Sequence, residues 1–271
     1  MNRRTSADWA ALDGAANSDA FVGYLDAAHG HDAIRAYKEK SFELLHLRPG
    51  DRVLDVGCGA GEDARALARI VGPDGLVVAI DASSRMIVEA RRRGDGLGFP
   101  IDYRIGDAHD LDLPDGAFDG ARADRVFQHL AEPKRALDEL IRVTKPGGWV
   151  VVAEPDWGTL VVDGCDCATT RAVLTAIAGG IRDPWMGRRL FGLFRRAGLA
   201  EVAIVAGAAV LTDLAEADRL FRFSEGATRA QACGAVTAEA AAHWTCSLEG
   251  AATAGEFCCA ITGFVAAGRR P

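Results

Sequence analysis

Short apolar runs alternate with amphipathic segments between residues 30 and 155 of the chain. Five runs are mostly apolar, as strands of a parallel sheet buried on both faces are, and they lie at residues 52–56, 76–80, 101–105, 118–123 and 149–153. Three segments between them repeat apolar residues at helical spacing, at residues 61–70, 84–93 and 133–143. Because strands alternate with helices, the pattern predicts a doubly wound, mostly parallel α/β sheet with right-handed crossovers.

The pattern is less regular after residue 155. Two more strands are predicted there, at residues 201–205 and 258–266, and they pair antiparallel if a hairpin-like edge closes the sheet. Helices are predicted before them, at residues 169–181 and 187–197. Ala-rich helical segments, at about 214–232 and 237–253, lie between the two strands and belong to no strand–helix–strand crossover. We therefore predict seven strands, with a helical lid inserted between the last two at about residues 208–255.

Composition and charge narrow the class of protein. No linker or internal repeat divides the sequence, so residues 1–271 are interpreted as one domain with N-terminal helices in about 1–48 and a ligand-binding core in 49–155. The 31 Lys and Arg against 38 Asp and Glu give a formal charge of −7, which argues against a nucleic-acid partner, because phosphate binding depends on clustered basic residues. No apolar run reaches the length that spans a bilayer, so a cytoplasmic protein without a membrane partner is expected.

The cysteines do not indicate a metal site. There are seven, an odd number, and no two of them form a CxxC pair. Zinc needs four ligands at recognisable spacings, and Cys165 and Cys167 have no matching second pair. Reduced thiols and no bound metal are therefore expected.

The segment VLDVGCGAG at residues 53–61 is an apolar strand followed by three alternating glycines. Glycine accepts positive φ and lets the backbone approach a ligand at the carboxyl edge of the sheet. A dinucleotide site would need a small residue where Glu62 stands, and Glu62 and Asp63 would repel a phosphate at the helix N-terminus. The loop predicts a ligand without phosphate, and a purely structural strand–helix turn is the alternative.

Three consecutive strands end near an aspartate: Asp55, Asp81 and Asp107. Asp81 lies 20 residues after Gly61, where a carboxylate can accept hydrogen bonds from vicinal ribose hydroxyls. Taken singly, each acid is more often a helix cap or a turn residue. Together the three predict a cleft for a cationic, ribose-bearing ligand that lacks phosphate.

Five motifs occur in order along this core: VLDVGCGAG at 53–61, VVAIDAS at 77–83, GDAHDL at 106–111, FDGARADRVFQHL at 118–130 and RVTKPGGWVVVAEPDW at 142–157. In combination they resemble the class I S-adenosylmethionine-dependent methyltransferases. The similarity is to the small-molecule branch that includes ubiquinone/menaquinone-type and antibiotic-tailoring enzymes. It is strong over about residues 35–155 and implies a Rossmann-like methyltransferase fold with S-adenosyl-L-methionine as the cofactor.

The resemblance implies a set of cofactor-binding residues. Gly57, Cys58 and Gly59 would lie against the methionine portion, Asp81 would hold the ribose and Met86 would pack on the adenine. The whole set consists of Asp55, Gly57, Cys58, Gly59, Asp81, Ala82, Met86, Asp107, Ala108, Arg125, Tyr24 and Lys38.

The remaining members of the set have more peripheral roles. Asp107 and Ala108 would meet the adenine edge, and Arg125 would border the methionine chain. Tyr24 and Lys38, which precede the first strand, would close over the cofactor carboxylate.

Two residues are candidate general bases, which only acceptors that must lose a proton require. His129 follows the fourth strand, where many members of this branch carry a histidine near the methyl group, and a helix-start histidine bonded to backbone is the alternative. Glu154 ends the fifth strand, and Pro155 is expected to bend the chain so that this acid lies at the rim, as a base or as a solvated loop acid.

The resemblance implies methyl transfer to a small-molecule acceptor at oxygen, nitrogen or activated carbon, in specialised-metabolite biosynthesis. A protein of the same fold that retains the cofactor but acts as a cyclase or binding protein is the alternative. Release of S-adenosylhomocysteine would distinguish the two.

Overall fold

Seven strands form one sheet in the computed structural model, which describes residues 32–271. They are β1 (Arg52–Val56), β2 (Leu76–Asp81), β3 (Ile101–Ile105), β4 (Phe118–Asp124), β5 (Thr144–Val162), β6 (Ala200–Leu211) and β7 (Cys259–Arg269). Their order across the sheet is β3-β2-β1-β4-β5-β7-β6. Strands β1 to β5 are parallel to one another, and β7 is antiparallel to both β5 and β6. The predicted sheet is therefore confirmed, including its antiparallel last pair.

Helices connect these strands and flank the sheet. They are α1 (Asp32–Glu43), α2 (Glu62–Val71), α3 (Ser84–Gly94), α4 (Pro133–Val143), α5 (Cys167–Ala178), α6 (Met186–Arg196), α7 (Leu214–Phe221), α8 (Phe223–Ala232) and α9 (Ala238–Ala254). A short 3₁₀ turn, Phe127–His129, follows β4. Between residues 32 and 271, no helix is long and apolar enough to cross a membrane.

Successive residues of the central strands pack against opposite layers of helices. In β1, Val53 clusters with Leu67 of α2, whereas Leu54 clusters with Leu137 of α4. All four side chains are fully buried, and burial of each stabilises the fold by about 1.5–3 kcal/mol. The continuous apolar run of β1 thus places this strand at the centre of the sheet.

Strand β5 is longer than the predicted segment 149–153. It continues through Glu154 and Pro155, because β7 runs beside it and pairs Glu154 with Phe264 and Pro155 with Gly263. The expected bend away from the sheet at Pro155 is therefore wrong. The partner strand lies more than a hundred residues further along the chain, so no local signal near Pro155 announces it.

The helical insertion between β6 and β7 is present, but its first predicted helix is two helices. Arg222 separates α7 from α8 in a left-handed conformation with φ 57°. The carboxylate of Asp218 accepts hydrogen bonds from Ser224 N and Ser224 Oγ, which fixes the second helix at an angle to the first. Aromatic side chains of the insertion form a separate cluster with the far ends of β5, β6 and β7, including Trp157, Phe221, Phe223, Trp244 and Phe257.

Candidate active site

A cavity of about 590 Å³ opens at the carboxyl ends of β1, β2, β3 and β4. It lies where the sheet order reverses between β1 and β4, the position at which doubly wound sheets bind their ligands. Its volume falls within the roughly 300–1,000 Å³ of small-molecule and cofactor pockets. Most of its wall comes from four chain segments, residues 56–60, 80–82, 105–109 and 124–131, together with Lys38 and Arg182.

The glycine loop forms one wall of the cavity and is tied to strand β2. Gly57, Gly59 and Gly61 have φ of 74°, 51° and 80°, which explains why three glycines are needed. The amides of Gly57 and Cys58 donate to Ile80 O at 2.7 and 3.0 Å. Gly57, Cys58 and Gly59 line the cavity, where the resemblance places the methionine portion of the cofactor.

Asp81 supports the glycine loop and also lines the cavity together with Ala82. One carboxylate oxygen accepts a hydrogen bond from Gly59 N at 2.9 Å, and the other accepts one from Ser83 N at 2.9 Å. A carboxylate has about four acceptor positions, so these two hydrogen bonds alone do not exclude further ones to ribose hydroxyls.

Replacing Asp81 with alanine should weaken S-adenosylhomocysteine binding by about 1–3 kcal/mol, because buried donors lose a charged acceptor and the loop loses its tie at Gly59. Isothermal calorimetry measures the change. Asp102→Ala is the matched control, since Asp102 is an exposed β3 residue that pairs with Arg104 outside the cavity. Wild-type affinity in Asp81→Ala would remove this residue from the site.

Asp107 and Ala108 line the cavity at the end of β3, as predicted. The Asp107 carboxylate accepts a hydrogen bond from His109 N at 2.9 Å and lies 2.7 Å from His109 Nδ1. Ile105, which the sequence analysis did not single out, also lines the wall and is 61% exposed. An exposed apolar side chain at a strand end next to Gly106 is suited to contact a flat ring.

Met86 is placed differently from its predicted role. It lies on the buried side of α3 with Ile87 and Ala90, is 2% exposed and does not line the cavity. The helix begins at Ser84 with Ser83 as its cap, and this start turns Met86 into the interior. The expected stacking of Met86 on the adenine is therefore wrong, and Ile105 is the apolar side chain at that edge.

Asp55 is also placed differently, because its carboxylate points into the protein. Asp55 and Arg122 are directly paired residues of β1 and β4, and their side chains form an ion pair at 3.2 Å. Asp55 is 1% exposed, and burial, partly offset by Arg122, raises its pKa to about 7. The prediction that Asp55 contacts the cofactor directly is therefore wrong.

A buried charge network underlies the cavity at this point. Arg122 is fully buried and contacts Asp63 at 3.0 Å, Asp124 at 3.5 Å and, through Nε, the hydroxyl of Ser41 at 2.8 Å. Lys38 Nζ lies 2.8 Å from both carboxylate oxygens of Asp63. Burial alone would raise the pKa of Asp63, but Lys38 and Arg122 outweigh it and hold this pKa well below its usual range.

Lys38 lines the cavity, but its ammonium pairs with the carboxylates of Asp63 and Asp124. Its contact with the cofactor carboxylate stays a prediction. Asp124, a residue that the sequence analysis missed, lines the cavity too, and its Oδ2 lies 3.2 Å from Lys38 Nζ and 3.5 Å from a terminal nitrogen of Arg122. Asp124 belongs to the same buried charge network, so two cations of this chain already balance its carboxylate. Tyr24, the other predicted N-terminal contact, lies outside the described residues.

His129 lies in the 3₁₀ turn after β4 and lines the cavity together with Arg125. Burial, reinforced by the charges of Arg125 and Arg182, lowers the pKa of His129 to about 3. The imidazole is therefore neutral at pH 7. General-base catalysis by an imidazole of ordinary pKa would make the reaction rate depend on pH near that pKa. In this environment we do not expect His129 to produce such a pH dependence.

Glu154 is not at the rim of the cleft. It is fully buried within β5, and one carboxyl oxygen accepts a hydrogen bond from Phe127 N at 2.5 Å. Burial and the neighbouring Asp124 raise the pKa of Glu154 well above its usual range. Glu154 therefore anchors the turn that carries His129. The prediction that it faces the acceptor is wrong.

A second, smaller pocket of about 60 Å³ meets the cavity at Arg125. Its lining is almost entirely apolar and comes from α1, α7 and strands β5, β6 and β7, with Tyr37, Trp157, Phe221 and Ile261 among its residues. The indole Nε1 of Trp157 donates to the side chain of Gln128 at 2.6 Å, and Gln128 belongs to the cavity wall. The two pockets therefore share a boundary.

The proteins that this chain is similar to include methyltransferases. The methyltransferase domain family matches residues 54–152. An uncharacterized 37.1 kDa protein of transposon TN4556 from Streptomyces fradiae is 40% identical over 245 residues, which cover 90% of this chain and 70% of that protein. Demethylmenaquinone methyltransferase of Symbiobacterium thermophilum is 40% identical over 111 residues, or 40% of this chain and 44% of that enzyme. The chain spans about half the length of such quinone methyltransferase relatives.

Among solved structures, phosphoethanolamine N-methyltransferase 2 of Haemonchus contortus in complex with S-adenosyl-L-methionine superposes with a TM-score of 0.63. Its sequence identity is 17%, and the match covers 100% of this chain and 62% of that one. The glycine loop, the cavity-lining carboxylates of Asp81 and Asp107 and the matching methyltransferase family all indicate S-adenosyl-L-methionine as the cofactor. The chain belongs to the class I S-adenosylmethionine-dependent methyltransferases.

Proposed function

We propose that the chain methylates a small-molecule acceptor, at oxygen, nitrogen or activated carbon, whose apolar part enters the pocket beside Arg125. The observation that carries this proposal is the apolar pocket itself, which adjoins the cofactor cavity and is bordered on one side by Leu220 and Phe221 of the helical insertion. An engineered cavity of about 150 Å³ holds benzene, so about 60 Å³ admits the edge of a ring or a short chain. The reacting part of the acceptor then lies in the larger cavity.

S-adenosylmethionine, when bound, supplies an electrophilic methyl group and leaves as a neutral thioether. The residues of this chain would align the acceptor and exclude water, and such positioning contributes a large part of the barrier reduction in transfer reactions. Asp81 and the glycine loop orient the cofactor, and Tyr37, Trp157 and Phe221 hold the acceptor. Specialised-metabolite biosynthesis is the proposed setting.

Two paired glycines allow a direct test of the pocket. Gly207 of β6 is paired with Gly263 of β7, and the ring of Tyr37 packs where a Gly263 side chain would be. A Cβ at Gly207 would meet nothing within 4 Å, so Gly207→Val fills the pocket without a clash. Ala208→Val is the matched control, because residue 208 is exposed and its side chain points to the opposite face of the same strand.

The assay uses methyl-labelled S-adenosylmethionine and a panel of phenols, enols, amines and activated aromatic carbons, with methylated products identified by mass spectrometry. We expect Gly207→Val to raise the KM of the acceptor about tenfold or more, since one or two methyl groups occupy most of the pocket. Ala208→Val should behave as wild type, and neither variant should alter cofactor affinity. Tight cofactor binding without S-adenosylhomocysteine release for any acceptor would favour the cyclase or binding-protein alternative.

A further inference from the structure

Gln128 and Trp157 lie where the cofactor cavity meets the smaller apolar pocket. Gln128, in the 3₁₀ turn after β4, lines the cavity and is 2% exposed. Trp157, in β5, lines the apolar pocket and is 9% exposed. The indole Nε1 of Trp157 donates a hydrogen bond to Oε1 of Gln128 at 2.6 Å. Each side chain therefore belongs to one pocket and is bonded to a residue of the other.

The hydrogen bond from Trp157 fixes which way the Gln128 amide faces. An indole N–H can only donate, so the amide atom that it contacts has to be the oxygen. The amide nitrogen Nε2 then points away from Trp157, and none of residues 32–271 accepts a hydrogen bond from it. A buried N–H donor without a partner is unfavourable unless a ligand supplies the acceptor atom. This donor therefore indicates a polar contact with a bound molecule.

Further hydrogen bonds hold both residues in place. Asp183 N donates to Gln128 O at 3.0 Å. Trp157 N donates to Pro184 O at 2.8 Å, so both residues are fastened to the same segment before α6. Phe127 N, next to Gln128, donates to a buried carboxylate of β5 at 2.5 Å. The donor is thus positioned before a ligand binds, and little conformational freedom is lost when a ligand uses it.

A donor at this position suits an oxygen of the acceptor that does not itself take the methyl group. Methyl transfer uses a lone pair or π electrons of the reacting atom, and an N–H bonded to that atom would make it less nucleophilic. A carbonyl oxygen beside the reacting atom avoids this conflict, because its lone pairs take no part in the transfer.

We propose that Gln128 is a specificity-determining residue, whose amide N–H donates a hydrogen bond to a non-reacting carbonyl oxygen of the acceptor. This inference rests on the proposed function and adds the residue that selects the acceptor and the group that it recognises. Trp157 is a positioning residue, because it acts through the orientation of the Gln128 amide. An acceptor with an apolar group in place of the carbonyl leaves the buried N–H unpaired, and sites built around a hydrogen bond reject such analogues.

The carboxylate of the cofactor is the other group that could accept this hydrogen bond. The bond between Gln128 and Trp157 favours the acceptor, since Trp157 lines the pocket that the apolar part of the acceptor enters. The affinity for S-adenosylhomocysteine distinguishes the two cases.

The test compares acetophenone with α-methylstyrene, in which a CH₂ group replaces the carbonyl oxygen at nearly the same shape. Binding of both probes to protein saturated with S-adenosylhomocysteine is measured by equilibrium dialysis, without turnover. Gln128→Met keeps a side chain of similar length but has no donor. We expect it to lower the ratio of acetophenone affinity to α-methylstyrene affinity roughly three- to tenfold relative to wild type.

The infrared carbonyl band of ¹³C-labelled acetophenone supplies a second readout. A hydrogen bond lowers the carbonyl stretching frequency, so the band of the bound probe should lie at higher frequency in Gln128→Met than in wild type. Trp157→Phe keeps a ring in β5 but removes the N–H that orients the amide, so it should give intermediate values of the ratio and the frequency. Gln231→Met and Trp244→Phe are the matched controls, because Gln231 is exposed on α8 and the indole of Trp244 donates to Thr170 outside both pockets.

Failure of acetophenone to bind the wild type, or an affinity ratio and carbonyl frequency that are unchanged in Gln128→Met, would overturn the inference. Weaker binding of S-adenosylhomocysteine to Gln128→Met with an unchanged ratio would assign the donor to the cofactor and overturn it as well. If Gln128→Met does not fold, the ratio and the frequency in Trp157→Phe decide in the same way.

The outcomes also separate this inference from the proposed function. If acceptors with and without a carbonyl are methylated equally well by wild type and Gln128→Met, the inference alone fails. If the two probes behave as expected but no acceptor is methylated, the proposed function fails instead.

Discussion

Replacing Arg122 with leucine is expected to lower the free energy of unfolding by about 3–5 kcal/mol, since removal of one partner leaves buried charges uncompensated. Arg122 is fully buried and contacts Asp55, Asp63 and Asp124. Leucine fills part of the volume but leaves three buried carboxylates with Lys38 as the nearest cation.

The loss of unfolding free energy in Arg122→Leu should depend on pH. Burial already raises the pKa of Asp55 to about 7, and removal of Arg122, which lowers this pKa, raises it further. A carboxyl group with a raised pKa in the folded state favours folding at low pH, and this contribution disappears as the pH rises through that pKa.

Asp63 behaves in the opposite way in the wild type. Its depressed pKa gives stability above the unfolded pKa that is lost as the pH falls, and Arg122→Leu reduces this contribution. This contribution is the same at pH 5 and pH 8, because both lie above the unfolded pKa of an aspartate. The difference between the two pH values comes from Asp55, and the destabilisation is therefore expected to be larger at pH 8 than at pH 5.

Urea denaturation at both pH values measures the effect. Arg104→Leu is the control, because Arg104 forms an exposed pair with Asp102 that is worth about 0–1 kcal/mol at most. A loss below about 1 kcal/mol that is equal at the two pH values would mean that the network does not stabilise the fold.

Gly57→Ala is expected to weaken cofactor binding by roughly 2–4 kcal/mol, from an unfavourable left-handed conformation and a steric clash. Gly57 has φ 74°, and a Cβ there would lie 2.1 Å from Cγ2 of Val126. Both residues line the cavity, so either the glycine loop or the loop after β4 must move.

The loss of affinity caused by the steric clash can be separated from the loss caused by the backbone conformation. Gly57→Ala combined with Val126→Ala removes the clashing methyl group and should recover most of the affinity, leaving a backbone penalty of about 1 kcal/mol. Gly255→Ala is the backbone control, because Gly255 has φ 74° in the left-handed region and open space at its Cβ position. If the double variant binds S-adenosylhomocysteine no better than Gly57→Ala, contact with Val126 is not the cause.

The sequence predicted the features of the site that depend on local pattern. Gly57, Gly59 and Asp81 follow apolar strands directly, and the structure brings them together at one edge of the sheet. Asp55 was misplaced because an acid near a strand end has the same local pattern whether it faces a ligand or the interior. Its pairing with Arg122 spans 67 residues, although two opposite charges within neighbouring apolar strands are the signal that could have revealed it.

Two other errors have a similar origin. Pro155 usually interrupts a strand, and only the distant β7 shows why β5 continues past it. Arg222 carries no helix-breaking tendency, so the division of the predicted helix 214–232 depends on hydrogen bonds made by Asp218. The spacing of apolar residues carries no information about side-chain hydrogen bonds of this kind.

Strand β7 lies between β5 and β6 in the sheet although it follows both of them in the chain. During synthesis, β6 therefore emerges before the strand that joins it to the sheet, and the three helices of the insertion emerge in between. At about 5–20 residues per second, β6 waits several seconds with both of its edges unpaired. We therefore expect the addition of β7 between β5 and β6 to be a late folding step, at which correct strand pairing competes with aggregation.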